Sequence, residues 1–201
     1  MFFEDIVFLF TCDNRNRGIV RLNFDEAACL WKAVKSTRGP ILEIGRRHGG
    51  STLLLLAASD ASRDVISVDL DPDHDPLIDE WFARPEFKTR LRLSTENSVV
   101  FRTEKIGLLF VDGDHSFLGV SADVKSHWPQ LSNFDGFSSF AVFHDAVPNP
   151  GLDYCNGINH CPGVMEVCDR LVKAGCGRVL NQAGSILVLE KITDLPDGFF
   201  D

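Results

Sequence analysis

The sequence is poor in the features that mark several functional classes. Its 20 Lys and Arg face 29 Asp and Glu, giving a net charge of −9, and the cations form no run. Nucleic-acid binding needs clustered cations to meet phosphates, so no nucleic-acid partner is expected. No apolar run is long enough to span a bilayer, and no membrane partner is expected. The opening MFFEDIVFLF is apolar, but Glu4 and Asp5 interrupt it and no positive segment precedes it. It reads as a packing segment rather than a signal peptide. Among six cysteines, at 12, 29, 155, 161, 168 and 176, there is no C-x-x-C pair. The expectation is reduced thiols in a cytoplasmic protein. Cys155, His160 and Cys161 lie close enough to suggest zinc, but a fourth ligand at a familiar spacing is missing. Tyrosine occurs once against sixteen phenylalanines, which carries no functional meaning here. There is no repeat, no low-complexity stretch and no sign of a second domain. Residues 1–201 therefore read as one domain, with 1–24 as an extension that covers the site, packs on the sheet edge or mediates a dimer.

What is present is a regular alternation of strands and helices. A helix is expected over 25–36, where Ala27, Leu30, Trp31 and Val34 share a face and Asn23 or Asp25 caps the start. Apolar runs predict strands at 41–45, 65–70, 90–93, 106–111 and 137–143, with helices at 51–59, 73–83, 116–128 and 162–174 between and after them. Strands at 178–180 and 185–190 close the chain, joined by NQAG. Strands apolar on both faces belong to a parallel sheet covered on both sides. The last two are too close for a helical crossover and should be antiparallel. The fold class is α/β, a doubly wound, Rossmann-like, mostly parallel seven-stranded sheet with a C-terminal antiparallel strand. The irregular stretch 146–161 has the length of a lid or binding loop.

In such sheets ligands bind beyond the carboxyl ends of the strands. The first strand delivers Gly45, Arg46, Arg47, His48, Gly49 and Gly50 there. The second delivers Asp69 and Asp71, and the third Glu96, Asn97 and Ser98. The fourth delivers Asp112, Gly113, Asp114 and His115, and the fifth His144 and Asp145. Polar and acidic groups thus gather on one edge of an apolar sheet. The turn reads E-x-G-x-x-x-G-G-S, not the dinucleotide G-x-G-x-x-G. Glu43 beside that turn disfavours a pyrophosphate and favours an ammonium-bearing ligand. Asp69 is placed to accept bonds from two ribose hydroxyls. Arg46, Arg47 and His48 read as exposed turn residues, with the alternative that the two adjacent arginines steer an acceptor carrying a carboxylate or phosphate.

ILEIGRRHGGST, VISVDLDP, LLFVDGDHSFLGVSADV, FAVFHDA and GSILVLEK together resemble the class I S-adenosylmethionine-dependent methyltransferases, nearest the branch with small-molecule O-methyltransferases acting on sugars and antibiotics. The resemblance runs from about residue 25 to 191. It implies S-adenosylmethionine as cofactor, with Glu43, Gly45, Gly49 and Ser51 at its methionine end and Asp69 on its ribose. Glu96, Asn97 and Ser98 would lie near the adenine, and Asp112 near the sulfonium. In metal-dependent relatives an acid matching Asp112 and a pair matching His144 and Asp145 hold magnesium. His144 departs from the oxygen donors usual there, so a softer divalent ion, a metal held by Asp112, Asp145 and water, or no metal are the alternatives. The sulfonium makes its methyl group electrophilic, so the protein must align an acceptor oxygen and take its proton. Asp114, His144 and His115 are the candidate bases. The partner expected is a small-molecule acceptor, with homo-oligomerisation left open. Two other readings stand beside this one: a non-catalytic cofactor-binding or assembly module, and an oxidoreductase on a similar sheet.

Overall fold

The computed structural model describes residues 6, 19–148 and 161–201. The strands are β1 (Ile41–Ile44), β2 (Val65–Val68), β3 (Leu91–Ser94), β4 (Leu108–Val111), β5 (Phe140–Phe143), β6 (Gly177–Ala183) and β7 (Ile186–Lys191). The helices are α1 (Phe24–Lys35), α2 (Gly50–Ala58), α3 (Pro76–Phe82), α4 (Pro85–Lys88), α5 (Phe117–His127) and α6 (Pro162–Lys173). The sheet has seven strands in the order β3-β2-β1-β4-β5-β7-β6. β1 to β5 run parallel, and β7 is antiparallel to both of its neighbours.

Alternation along the strands builds two cores. Ile41, Val65, Leu108, Phe110 and Val142 face α1, α2 and α3. Leu42, Ile44, Leu109, Val111 and Phe143 face α5 and α6. β1, β2, β4 and β5 are buried at every position, as parallel strands covered on both sides must be. All nine positions of α2 are buried and the last six are Leu or Ala, which explains its leucine run. Among the described residues no helix is long and apolar enough to cross a membrane.

Local chemistry moves three expected boundaries. The helix expected over 73–83 starts only at Pro76, because Asp71 and Asp75 bond the nearby amides of Asp73 and Leu77 and hold the chain in turns. The fifth strand starts at Phe140, not 137. Asp135 and Gly136 both have positive φ and close a two-residue turn in which Phe134 and Phe137 exchange backbone bonds. The expected NQAG turn is the end of β6; the chain reverses at Gly184 and Ser185. Residues 149–160, with Cys155 and His160, lie outside the described residues, as do most of residues 1–18. The described cysteines, Cys29, Cys161, Cys168 and Cys176, are free thiols.

One close approach locks β4 to the loop before β1. A Cβ on Gly107 would stand 1.5 Å from the carbonyl oxygen of Arg38. Backbone on both sides leaves no room to relax. Gly107→Ala should cost about 3 kcal/mol in a urea denaturation series. A loss below about 0.5 kcal/mol would show that the loop yields freely.

Candidate active site

The crossover from β3 to β4 places those strands on opposite sides of the β1–β2 pair. The crevice at the carboxyl ends lies at this switch in direction. A cavity of about 810 Å³ opens there. Its lining includes Gly45, Ser51, Asp69, Glu96, Asn97, Ser98, Asp112, Asp114, His115, His144 and Asp145, so most of the expected residues share one space.

The floor is set by the turn after β1. Gly45 has φ +91°, and a Cβ there would stand 2.2 Å from the Asp112 carbonyl oxygen, so only glycine lets β1 and β4 end side by side. Asp69 Oδ2 accepts the backbone N–H groups of Arg46 and Arg47, each at 2.7 Å, and Oδ1 accepts that of Asp71. The acid expected to hold a ribose therefore also shapes the turn beside it. Arg46 is buried, and its guanidinium donates to the carbonyls of Ser67 at 3.1 Å and Asp71 at 2.9 Å, with Ser94 at 3.5 Å. It ties strand ends together, which corrects its readings as an exposed turn residue and as a substrate-steering cation. Arg47 and His48 are exposed on the cavity wall.

Two residues expected at the cofactor turn lie off the cavity. Glu43 does not line the cavity. Strand alternation points it under α2, where it is fully buried and accepts from Ser51 Oγ and Thr52 Oγ1 at 2.5 Å and Ser67 Oγ at 2.6 Å. Burial pushes its carboxyl above the usual range, against the pull of those hydroxyls. Gly49 also lies off the cavity, against Ile78 and Phe82, while Gly50 takes a place in the lining.

At the other end, four side chains converge. His144 Nδ1 lies 2.9 Å from Asp112 Oδ1 and 3.4 Å from Asp145 Oδ2. His115 Nε2 lies 3.3 Å from the first and 3.6 Å from the second. Burial opposes ionisation of Asp112, but His144 and His115 outweigh it and bring its carboxyl down to about 2. Burial likewise opposes charge on His144, yet Asp112, Glu26 and Asp145 hold its pKa well above the usual histidine value. The hydrogen bond to Asp112 raises His115 as well. Asp114 stands apart. It is exposed and accepts the Ser116 N–H at 2.8 Å, a bond that lowers its pKa and weakens it as a base. The donor chemistry of the four converging groups, two imidazoles and two carboxylates, suits a borderline divalent ion and does not fit magnesium, which takes oxygen.

Two participants were not singled out from sequence. Glu26 of α1 is buried with Oε2 3.6 Å from His144 Nε2. Its only local signal is the N-x-x-E spacing of a capping box, in which it accepts the Asn23 N–H. Asp123 of α5 is buried in the cavity wall and accepts from Ser98 Oγ at 2.5 Å. Burial raises it to about 6.

A family model for a methyltransferase domain matches residues 42–146, just over half of the chain and β1 to β5 except Ile41. The chain belongs to the methyltransferase family. Solved structures agree in fold. A protein from Corynebacterium glutamicum superposes with a TM-score of 0.63 at 16% identity, covering 86% of this chain and 82% of that one. An O-methyltransferase from Bacillus cereus in complex with S-adenosylhomocysteine gives 0.57 at 15% identity, covering 85% and 82%. A S-adenosylmethionine-dependent O-methyltransferase from Thermotoga maritima gives 0.59 at 11% identity, covering 88% and 68%. No curated protein matches the sequence. The cavity of this methyltransferase lies where the doubly wound sheet places ligands.

Two outcomes follow. Glu43→Ala removes the shared partner of three buried hydroxyls, leaving Thr52 and Ser67 only their 3.3 Å contact with each other, and should cost about 2–4 kcal/mol, while Glu43→Gln costs less and leaves S-adenosylhomocysteine affinity unchanged by calorimetry. An affinity lost with Gln would return Glu43 to the ligand. Asp123 keeps its proton to about pH 6 in the folded chain, whereas unfolded aspartate releases it near 3.9. The folded state thus binds more protons in that window, and stability falls as pH rises through it. Asp123→Asn should remove this slope, so that wild type loses roughly 2 kcal/mol relative to the variant between pH 4 and 6 in denaturation series.

Proposed function

We propose that this chain transfers the methyl group of S-adenosylmethionine to an oxygen of a small-molecule acceptor. The observation that carries the reading is a single cavity with Asp69 and residues 96–98 at one end and the imidazole–carboxylate cluster at the other. That spacing suits an elongated cofactor with the reacting methyl group over the cluster. The structural likeness to O-methyltransferases, one in complex with S-adenosylhomocysteine, supports the same cofactor and acceptor atom.

The work left to the protein is alignment and proton removal, because the sulfonium is already activated. Ser51 and the Gly45 turn hold the methionine end, and Asp69 offers its carboxylate to the ribose. The acceptor's proton goes to the cluster rather than to Asp114, whose carboxylate is tied to Ser116. His115 is the open member, with 34% of its side chain exposed against 11% for His144. The same four side chains, Asp112, His115, His144 and Asp145, would alternatively hold a divalent cation, which would polarise the acceptor oxygen and acidify its proton. Arg47 and His48 on the wall favour an acceptor carrying negative charge.

Calorimetry with S-adenosylhomocysteine tests the cofactor, and radiolabelled methyl transfer to sugars, catechols, flavonoids and carboxylates tests the reaction. Asp69→Ala should weaken cofactor binding by on the order of 30-fold, since it removes charged acceptors at the turn. Unchanged affinity overturns the role of Asp69. Binding of NADH in place of S-adenosylmethionine overturns the function. Cofactor binding without transfer to any acceptor favours the non-catalytic module.

A further inference from the structure

The four atoms at the cluster alternate nitrogen and oxygen around a ring whose sides are 2.9, 3.3, 3.6 and 3.4 Å, and all lie within 4.8 Å of one another. For metal–ligand bonds of about 2.1 Å, ligand atoms stand roughly 3.0 Å apart in an octahedron and roughly 3.4 Å apart in a tetrahedron. The ring therefore has the dimensions of a coordination shell. Behind it stands Glu26, which is 2% exposed and lies off the cavity. Its Oε1 accepts from Ser185 N and Ser185 Oγ at 2.8 Å, and its Oε2 accepts Asn23 N at 2.8 Å. Held from three directions, it presents Oε2 to His144 Nε2 at 3.6 Å. An imidazole that ligates through Nδ1 carries its proton on Nε2, and a carboxylate there fixes the tautomer and the ring plane.

We infer that Asp112, His115, His144 and Asp145 form a site for a divalent transition ion of the zinc or cobalt kind in preference to magnesium, with Glu26 as the positioning residue for His144. Hard magnesium seeks oxygen alone, while imidazole suits the later transition ions. The site deepens the methyl-transfer reading, on which its role in the reaction rests. Its occupancy can be measured without that reaction.

The test uses the full chain stripped with a chelator and titrated separately with Co2+, Zn2+ and Mg2+ in the absence of cofactor. Binding is followed by calorimetry and by the visible bands of cobalt. One Co2+ or Zn2+ should bind per chain, with Mg2+ at least ~100-fold weaker. Glu26→Gln should weaken Co2+ by about 10- to 100-fold with the thermal midpoint recorded alongside. His115→Ala, on the open cavity wall, should weaken Co2+ and leave Mg2+ unaffected, and it keeps the test valid if the Glu26 variant folds poorly. His144→Asp should move the preference toward Mg2+. Mg2+ binding as tightly as Co2+ overturns the inference. So does no Co2+ binding at millimolar concentration, which would make the cluster an internal ion pair. Co2+ affinity unchanged in a folded Glu26→Gln variant overturns the positioning role. S-adenosylhomocysteine calorimetry on the same stripped sample reports on the cofactor reading separately.

Discussion

The carboxylate of Glu43 is the constraint on which the site is built. Fully buried, it takes hydroxyls from two positions of α2 and one of β2. A carboxyl in such a place is tolerated only because its acceptor sites are filled. The knot fixes how α2 sits over β1 and β2, and the turn between β1 and α2 is set by that placement. Gly45, Arg46 and Asp69 then close the turn against the ends of β2 and β4. The apparent oddity of an acid inside an apolar strand is thus a matter of architecture first.

The opposite end of the cavity is built from parts far apart in sequence. Asp112 and His144 directly follow the neighbouring parallel strands β4 and β5, Asp145 comes one residue later, and His144 sits between Asp112 and Glu26. Glu26 itself joins the first turn of α1 to the β6–β7 reversal through Ser185. One acid therefore serves a helix cap, a hairpin turn and an imidazole at once. This gives the sheet's reversed edge a part in shaping a site that belongs to its parallel centre.

Strand cores were legible wherever four consecutive residues are apolar, as in LLFV and FAVF, because burial on both faces leaves no other pattern. The strand-end residues were legible for the same reason: the sheet fixes which edge receives them. What escaped were features set by face and by distance. Nothing local says that Glu43 points under α2; the alternation with Ile41 does so only once that face is known. Glu26 carries the signature of a cap, and its contacts with Ser185 and His144 form only when α1, β5 and β7 meet. His115 read as a base, yet only the approach of β4 to β5 shows it facing both carboxylates. The late start of α3 follows from aspartates bonding nearby backbone amides, which compete closely with regular structure, and the late start of β5 follows from the turn at Asp135 and Gly136.

Arg46 has a consequence of a different kind. Its guanidinium reaches carbonyls at the ends of β2 and β3 and in the loop beyond, while its own amide is held by Asp69. The chain beneath the cavity is already ordered when the protein folds. Fixing a free backbone residue costs about 1–2 kcal/mol in entropy, and a floor that is fixed beforehand spares an arriving ligand that loss. Recognition on this side of the cavity is then a matter of fit to a rigid surface, and adaptability is left to the exposed side chains of Arg47 and His48.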